Sequence, residues 1–133
     1  MIISHEKPPV YEQCAKQFGV TWEKGVTITY GDTIHFCDKF QLIDHLAVHE
    51  STHIVQQMKM GKELWWEKYF ADEVFRLHQE KEAYINQYMF IKKNYNRHYR
   101  RMLLDKLSND MAMFYGNMCT KDEAEALLSL GKP

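Results

Sequence analysis

Cysteine is scarce and poorly placed for cross-linking: Cys14, Cys37 and Cys119 are odd in number, widely spaced and free of any C-x-x-C pattern. That pattern points away from both a disulfide framework and a cysteine-rich zinc site, so three buried free thiols are expected. An excess of charge is also missing. With 17 Lys and Arg against 18 Asp and Glu, the formal net charge is -1, and nothing draws the whole chain toward nucleic acid or an anionic membrane. No run approaches the ~18 consecutive apolar residues of a membrane helix. The start, MIISHEKPPVYEQ, lacks the basic-then-apolar order of a secretory signal. A cytoplasmic protein with no membrane contact is the expectation. What is abundant is apolar and aromatic surface: 45% hydrophobic residues, including 3 Trp, 8 Tyr and 7 Phe, suit one compact domain spanning 1–133.

Local pattern predicts a mainly α chain with a small β element. PPVYEQCAKQFGV carries apolar residues at helical spacing after two prolines and ends on Gly19, which suits a short helix with a left-handed cap. In GVTITYGDTIHF, Val26, Ile28 and Tyr30 alternate with Thr27 and Thr29, and Gly31-Asp32 supplies a turn before Thr33 to Phe36. A hairpin or two short strands follow from that alternation, and they must lean on helices to be stable. From Asp38 the period becomes 3.6, with Asp38 as the expected N-cap, Gln41 three residues on, and an end at Met60-Gly61. No Pro or Gly interrupts residues 62 to 107, where two or three helices with a break near Asp72 are expected. Thr120 and Glu123 form a capping box for a last helix closing on Gly131.

Inside the second predicted helix lies LAVHESTHIVQQ. Four residues make about 1.1 helical turns, so His49 and His53 face one way and reach one ion, while Glu50 lies about 100° round the axis, beside that ion. This is the H-E-x-x-H arrangement: two imidazoles bind Zn²⁺ and the glutamate, as general base, takes a proton from water activated by it. At this composition roughly 0.03 such matches arise by chance, which favours a metal site over a solvated helix face. His45 makes a second i, i+4 pair with His49 but lacks the adjacent glutamate, so it is assigned a supporting place behind the ligands or at the helix start. A catalytic zinc keeps three protein ligands and one open position. Candidates for the third are Glu63, Glu67, Asp72, Glu73, His78, Glu80 and Glu82, with FRLHQEKEAYINQY the favoured segment. Glu80 and Glu82 are about 200° apart on a helix, so only one of them faces the metal.

HESTH followed by a helix bearing E-x-x-A resembles the gluzincin clan of zinc metallopeptidases. The resemblance implies a third ligand on the later helix. Its register, with the glutamate three residues before a small residue and four before Asp or Asn, selects Glu80 with Ala83, while Tyr84 departs from the clan's last position. It also implies hydrolysis of peptide bonds, an edge strand just before the H-E-x-x-H helix along which substrate lies, and a Tyr or His that stabilises the oxyanion. TITYGDTIHF stands in the right place for the strand, and Tyr84, Tyr88 and His78 are unranked candidates for the last role. The longer string over residues 25 to 88 is similar to small metallopeptidase-like proteins of bacteria and tailed bacteriophages. A peptide or protein substrate follows from the gluzincin resemblance, while this second likeness names no particular substrate. It admits a second reading, a structural or assembly protein with protein partners, such as a phage virion component, whose metal site has little catalytic use.

Other features favour plain structural roles. ELWWEKYF reads as core packing, with a substrate wall or subunit interface as alternatives. KKNYNRHYRRMLLDK holds six basic residues against Asp105 and reads as a solvated face, so no nucleic acid is expected to bind there. His5, His35 and His98 are isolated, and the eight Met are expected to fill gaps in the core.

Overall fold

The structure, a computed structural model, describes residues 1–114 and 119–130. It is mainly helical with a small sheet, as the patterning requires. In chain order the elements are β1 (Ile2–Ser4), α1 (Tyr11–Phe18), a 3-10 turn (Trp22–Lys24), β2 (Thr27–Tyr30), β3 (Thr33–Phe36), α2 (Asp44–Met60), α3 (Lys62–Ala71), α4 (Glu73–Asn94), α5 (Arg97–Phe114) and α6 (Lys121–Leu130).

The hairpin forms with Gly31-Asp32 at its turn and Tyr30 opposite Thr33. A third strand, not foreseen, completes the sheet: β1 runs parallel to β3, with Ile3 opposite Ile34, and the spatial order is β1-β3-β2. Three residues are too few to show a period, and the partner lies about thirty residues away, so local pattern carries no trace of β1. The central strand buries Ile34 completely and packs Ile34 and Phe36 on Ile54 of α2. That contact supplies the support a lone hairpin lacks.

The second helix begins later than expected. Asp38 lies in a turn closed by Phe40 N–H donating to the Cys37 carbonyl, residues 41–43 are not helical, and α2 starts at Asp44. Tertiary packing explains the difference. Phe40 lies over Gly25, whose missing Cβ would come within 3.1 Å of the ring, and Leu42 packs beside Ile34, Phe36 and Ile54. The apolar residues that mimic a helical period therefore serve the sheet. At its other end α2 stops at Met60, and Gly61, at φ 95°, turns the chain directly into α3. Asp72 breaks α3 from α4 and caps α4 by accepting from Phe75 N–H at 3.0 Å. Thr120 and Glu123 make the expected reciprocal capping box on α6. The Gly131 stop lies outside the described residues.

Apolar packing is divided. One cluster joins α4, α5 and α6 through Ile85, Tyr88, Ile91, Leu104, Leu107, Met111 and Leu128. Another gathers α1, the sheet and α3 around Tyr11, Trp22, Ile28, Trp65 and Trp66. ELWWEKYF is thus core, as expected. The methionines mostly are not: Met1, Met58, Met89, Met102 and Met113 are exposed, Met111 is fully buried, and Met118 lies outside the described residues. All three cysteines are free and buried. The basic stretch breaks at residues 95–96 between α4 and α5, and two of its charges are answered from farther along the chain, Arg101 by Glu125 at 3.0 Å and Lys106 by Asp110 at 3.0 Å.

Candidate metal centre

Where α2 crosses α4 the buried side chains are polar. Of the eight buried residues of α2, only Ile54 is apolar, and the rest include His45, His49, Glu50, His53, Gln56 and Gln57. Burying such groups is costly unless each finds a partner. Among the described residues, Ser108 Oγ in α5 is the one buried side-chain polar atom without one, so the seam itself is satisfied.

Helical spacing brings the pieces together. His49 and His53 stand one turn apart on α2 with rings 5.0 Å apart, and α4 sets Glu80 opposite both. His49 Nε2 lies 3.1 Å from Glu80 Oε1, and His53 Nε2 lies 3.3 Å from either oxygen of that carboxylate. One donor atom from each of the three residues falls within 4.8 Å of the others, and all three side chains are buried. Ligands at 2.0–2.2 Å from a tetrahedral ion stand about 3.3 Å from one another, so Glu80 already sits at ligand spacing from each ring. A buried His49, His53 and Glu80 group that could hold a metal ion is therefore present. Two imidazoles and one carboxylate suit a first-row transition ion better than Mg²⁺ or Ca²⁺, which prefer oxygen.

The far sides of both rings are held by amides. Gln56 donates its amide N–H to the Gln79 carbonyl at 3.0 Å and to Glu82 Oε1 at 2.9 Å, which leaves its Oε1 to accept from His53 Nδ1 at 2.8 Å. Because both acceptors claim the amide nitrogen, the orientation of Gln56 is fixed and His53 must carry its proton on Nδ1. Gln87 repeats the arrangement, with Oε1 2.9 Å from His49 Nδ1 and its amide nitrogen 2.8 Å from His45 Nδ1. With His49, like His53, carrying its proton on Nδ1 toward the amide oxygen, both Nε2 lone pairs of the neutral rings point at the Glu80 carboxylate. Three electron-rich atoms so arranged attract a cation.

Without an ion, a proton fills that place. Burial by itself would lower the His53 imidazole, but the Glu80 carboxylate beside it prevails and holds it up at about 9. Burial would likewise raise Glu80, yet the charge on His53 and the hydrogen bonds from His49 and His53 hold it well below the usual carboxylate range. Tyr69 adds a hydroxyl donated to Glu80 Oε2 at 2.7 Å. Glu50 lies beside this pair. Thr29 of β2 donates its hydroxyl to Glu50 Oε1 at 2.9 Å, while Oε2 turns toward the site, 3.9 Å from His49 Nε2. Burial is the main reason its carboxyl is raised, against the lowering pull of His49, His53 and Thr29.

These groups open on a cleft of about 780 Å³ lined by β2, α2, α3 and α4, with Thr29, His49, Glu50, Tyr69, Arg76 and Glu80 on its walls. No protein-family model, curated protein or solved structure matches this chain. What the site can do rests on its own residues.

Each sequence-predicted residue has a definite place. Glu82 does not approach the histidines and instead holds Gln56, while Glu80 faces both rings. His45 stands in the first turn of α2, borders the same cleft, and is linked to His49 through Gln87. Of the three oxyanion candidates, Tyr84 lines the cleft with its ring 4.6 Å from that of His49. Tyr88 is buried in the α4–α6 cluster, and His78 is exposed. The β2 edge does border the cleft, but the Thr29 carbonyl is already taken by Gln57 at 2.9 Å and Trp66 at 3.2 Å, which shortens the edge open to a bound strand. His35 and His5 bond to main-chain carbonyls of Glu6 and Phe36 and stay out of the site. The residues sequence reasoning missed are Gln56, Gln87, Tyr69 and Thr29. Two of them left a signal, since His53 to Gln56 is an i, i+3 pair and Glu80 to Gln87 is i, i+7 on one helix face.

Proposed function

We propose that this chain is a zinc-dependent peptidase of gluzincin type, with His49, His53 and Glu80 as ligands and Glu50 as general base. The observation that carries the reading is the convergence of two imidazole Nε2 atoms and one carboxylate whose other sides are already held. A structural zinc is closed by four protein ligands, whereas among the described residues this group stops at three, which favours a catalytic over a structural or assembly role. Zinc bound there supplies a Lewis acid for the scissile carbonyl and lowers the pKa of water toward about 7. Glu50 accepts the proton of the attacking water on Oε2 and returns it to the leaving amine, while Thr29 fixes Oε1. Burial raises the affinity of Glu50 for a proton, which suits a group that takes one up and returns it. Gln56 and Gln87 keep both Nε2 atoms aimed inward, and the β2 edge and the Trp65–Tyr69 wall confine an extended peptide.

Glu50→Gln tests this directly. Against a broad peptide library, the variant is expected to lose about 10²-fold or more in hydrolysis while zinc content and fold stay as in the wild type. Equal cleavage by the variant contradicts the role of Glu50. A zinc-loaded wild type that cleaves nothing in the library moves the chain to the structural reading.

A further inference from the structure

Helix α4 lines the cleft at successive turns with Arg76, Glu80, Tyr84 and Gln87. Four residues advance the helix about 6 Å, so the guanidinium originates one turn from the proposed ligand carboxylate. Tyr69 ties the two together, its carbonyl accepting from Arg76 Nη1 at 2.6 Å and its hydroxyl donating to Glu80 at 2.7 Å. The guanidinium is also stacked, 5.0 Å from the Phe18 ring and 5.8 Å from that of Tyr69. These contacts hold its plane without neutralising its charge. Among the described residues no carboxylate lies within 4.0 Å of Arg76, which is half-buried. The contrast with Lys106 at another part of the same cleft is plain, because that cation is matched by Asp110 at 3.0 Å.

We infer that Arg76 binds a carboxylate of the substrate, one or two residues from the bond held at His49, His53 and Glu80. This rests on the peptidase reading of the site. An extended peptide advances about 3.3–3.6 Å per residue, which sets that spacing against the single helical turn between Arg76 and Glu80. A planar guanidinium with its orientation already held, and with donors left over after the bond to Tyr69, suits paired hydrogen bonds to a carboxylate. The carboxylate is either the C-terminus of the peptide or an Asp or Glu side chain.

The test uses zinc-loaded Glu50→Gln protein, so that peptides bind without turnover, and follows binding calorimetrically. Four probes suffice: acetyl-tetraalanine as free acid and as C-terminal amide, and acetyl-Ala-Ala-Glu-Ala amide with its Gln counterpart. One carboxylate-bearing probe is expected to bind about tenfold tighter than its neutral partner, and the pair that differs names the source of the charge. Adding Arg76→Gln should bring the two within about twofold. If that variant fails to fold, Arg76→Lys, which keeps the charge but not the fork, should cut the preference at least about threefold. Equal binding of all four probes, or a preference that survives loss of the guanidinium, overturns the inference and leaves the peptidase reading standing. Failure of every probe to bind the zinc-loaded protein overturns the inference, and the peptidase reading falls with it only if the wild type also cleaves nothing in the broad library.

Discussion

Helix α4 belongs to two regions built on opposite principles. One face sends Ile85, Tyr88 and Ile91 into an apolar cluster with α5 and α6, where Leu128 and Met111 are wholly buried. The other face sends Glu80 and Gln87 into a seam with α2 that is almost entirely polar. Apolar burial at about 25 cal/mol per Å² stabilises the first region whatever the chain does. The second region gains little by comparison, since buried hydrogen-bonded or ionic groups are often no better than apolar ones of the same size. A seam so fully satisfied yet so weakly stabilising is what a binding site requires, because its donors must be free to exchange a proton for a metal ion. The comparison therefore separates the stability of this protein from its chemistry along a single 22-residue helix.

The largest effect should come from the apolar side. Leu128→Ala is expected to cost about 2–5 kcal/mol in urea unfolding while metal stoichiometry stays at the wild-type value. Metal loss in that variant would mean that the two regions are not separable. The next effect is a pH dependence of the metal-free protein. His53 is raised on folding, so its contribution is complete below its ordinary 6.5 and fades as pH rises through about 9. Glu80 is depressed, so the same pairing is also lost as pH falls below its ordinary 4.5. The contribution of this pair to the unfolding free energy should therefore peak between these limits and decline by a few kcal/mol at most toward pH 9. Bound metal, which needs His53 deprotonated, should remove the alkaline decline, and an unchanged decline would show that the ion binds elsewhere. The smallest expected effect is that of Gln87→Ala, which should weaken metal binding about 10- to 100-fold in a chelator competition, with the α4–α6 cluster unaffected. Wild-type affinity in that variant would reduce Gln87 to a space filler.

Much of the site was legible because it is local. His49, Glu50 and His53 are fixed relative to one another by the helical repeat, and Gly61 and Asp72 mark helix ends through backbone preferences that need no distant partner. The choice between Glu80 and Glu82 was half legible: periodicity requires that they face different ways, the gluzincin-like register favours Glu80, and the crossing of α2 over α4 shows that Glu80 faces inward. Amide support of the rings escaped because Gln56 and Gln87 resemble any other surface glutamine until the helices are packed. The start of α2 was misplaced for a related reason, since Phe40 and Leu42 stand three and four residues before Ile43 and Leu46, a helical spacing, while they pack against Gly25 and Ile34. Strand β1 depends on pairing with a strand about thirty residues later, which no local pattern records.

The central claim is a metal ion held by His49, His53 and Glu80, and elemental analysis of purified protein supplied with zinc tests it most directly. One ion per chain in the wild type and none in His53→Ala is the predicted result. The same stoichiometry in both proteins, or no zinc in either, contradicts it.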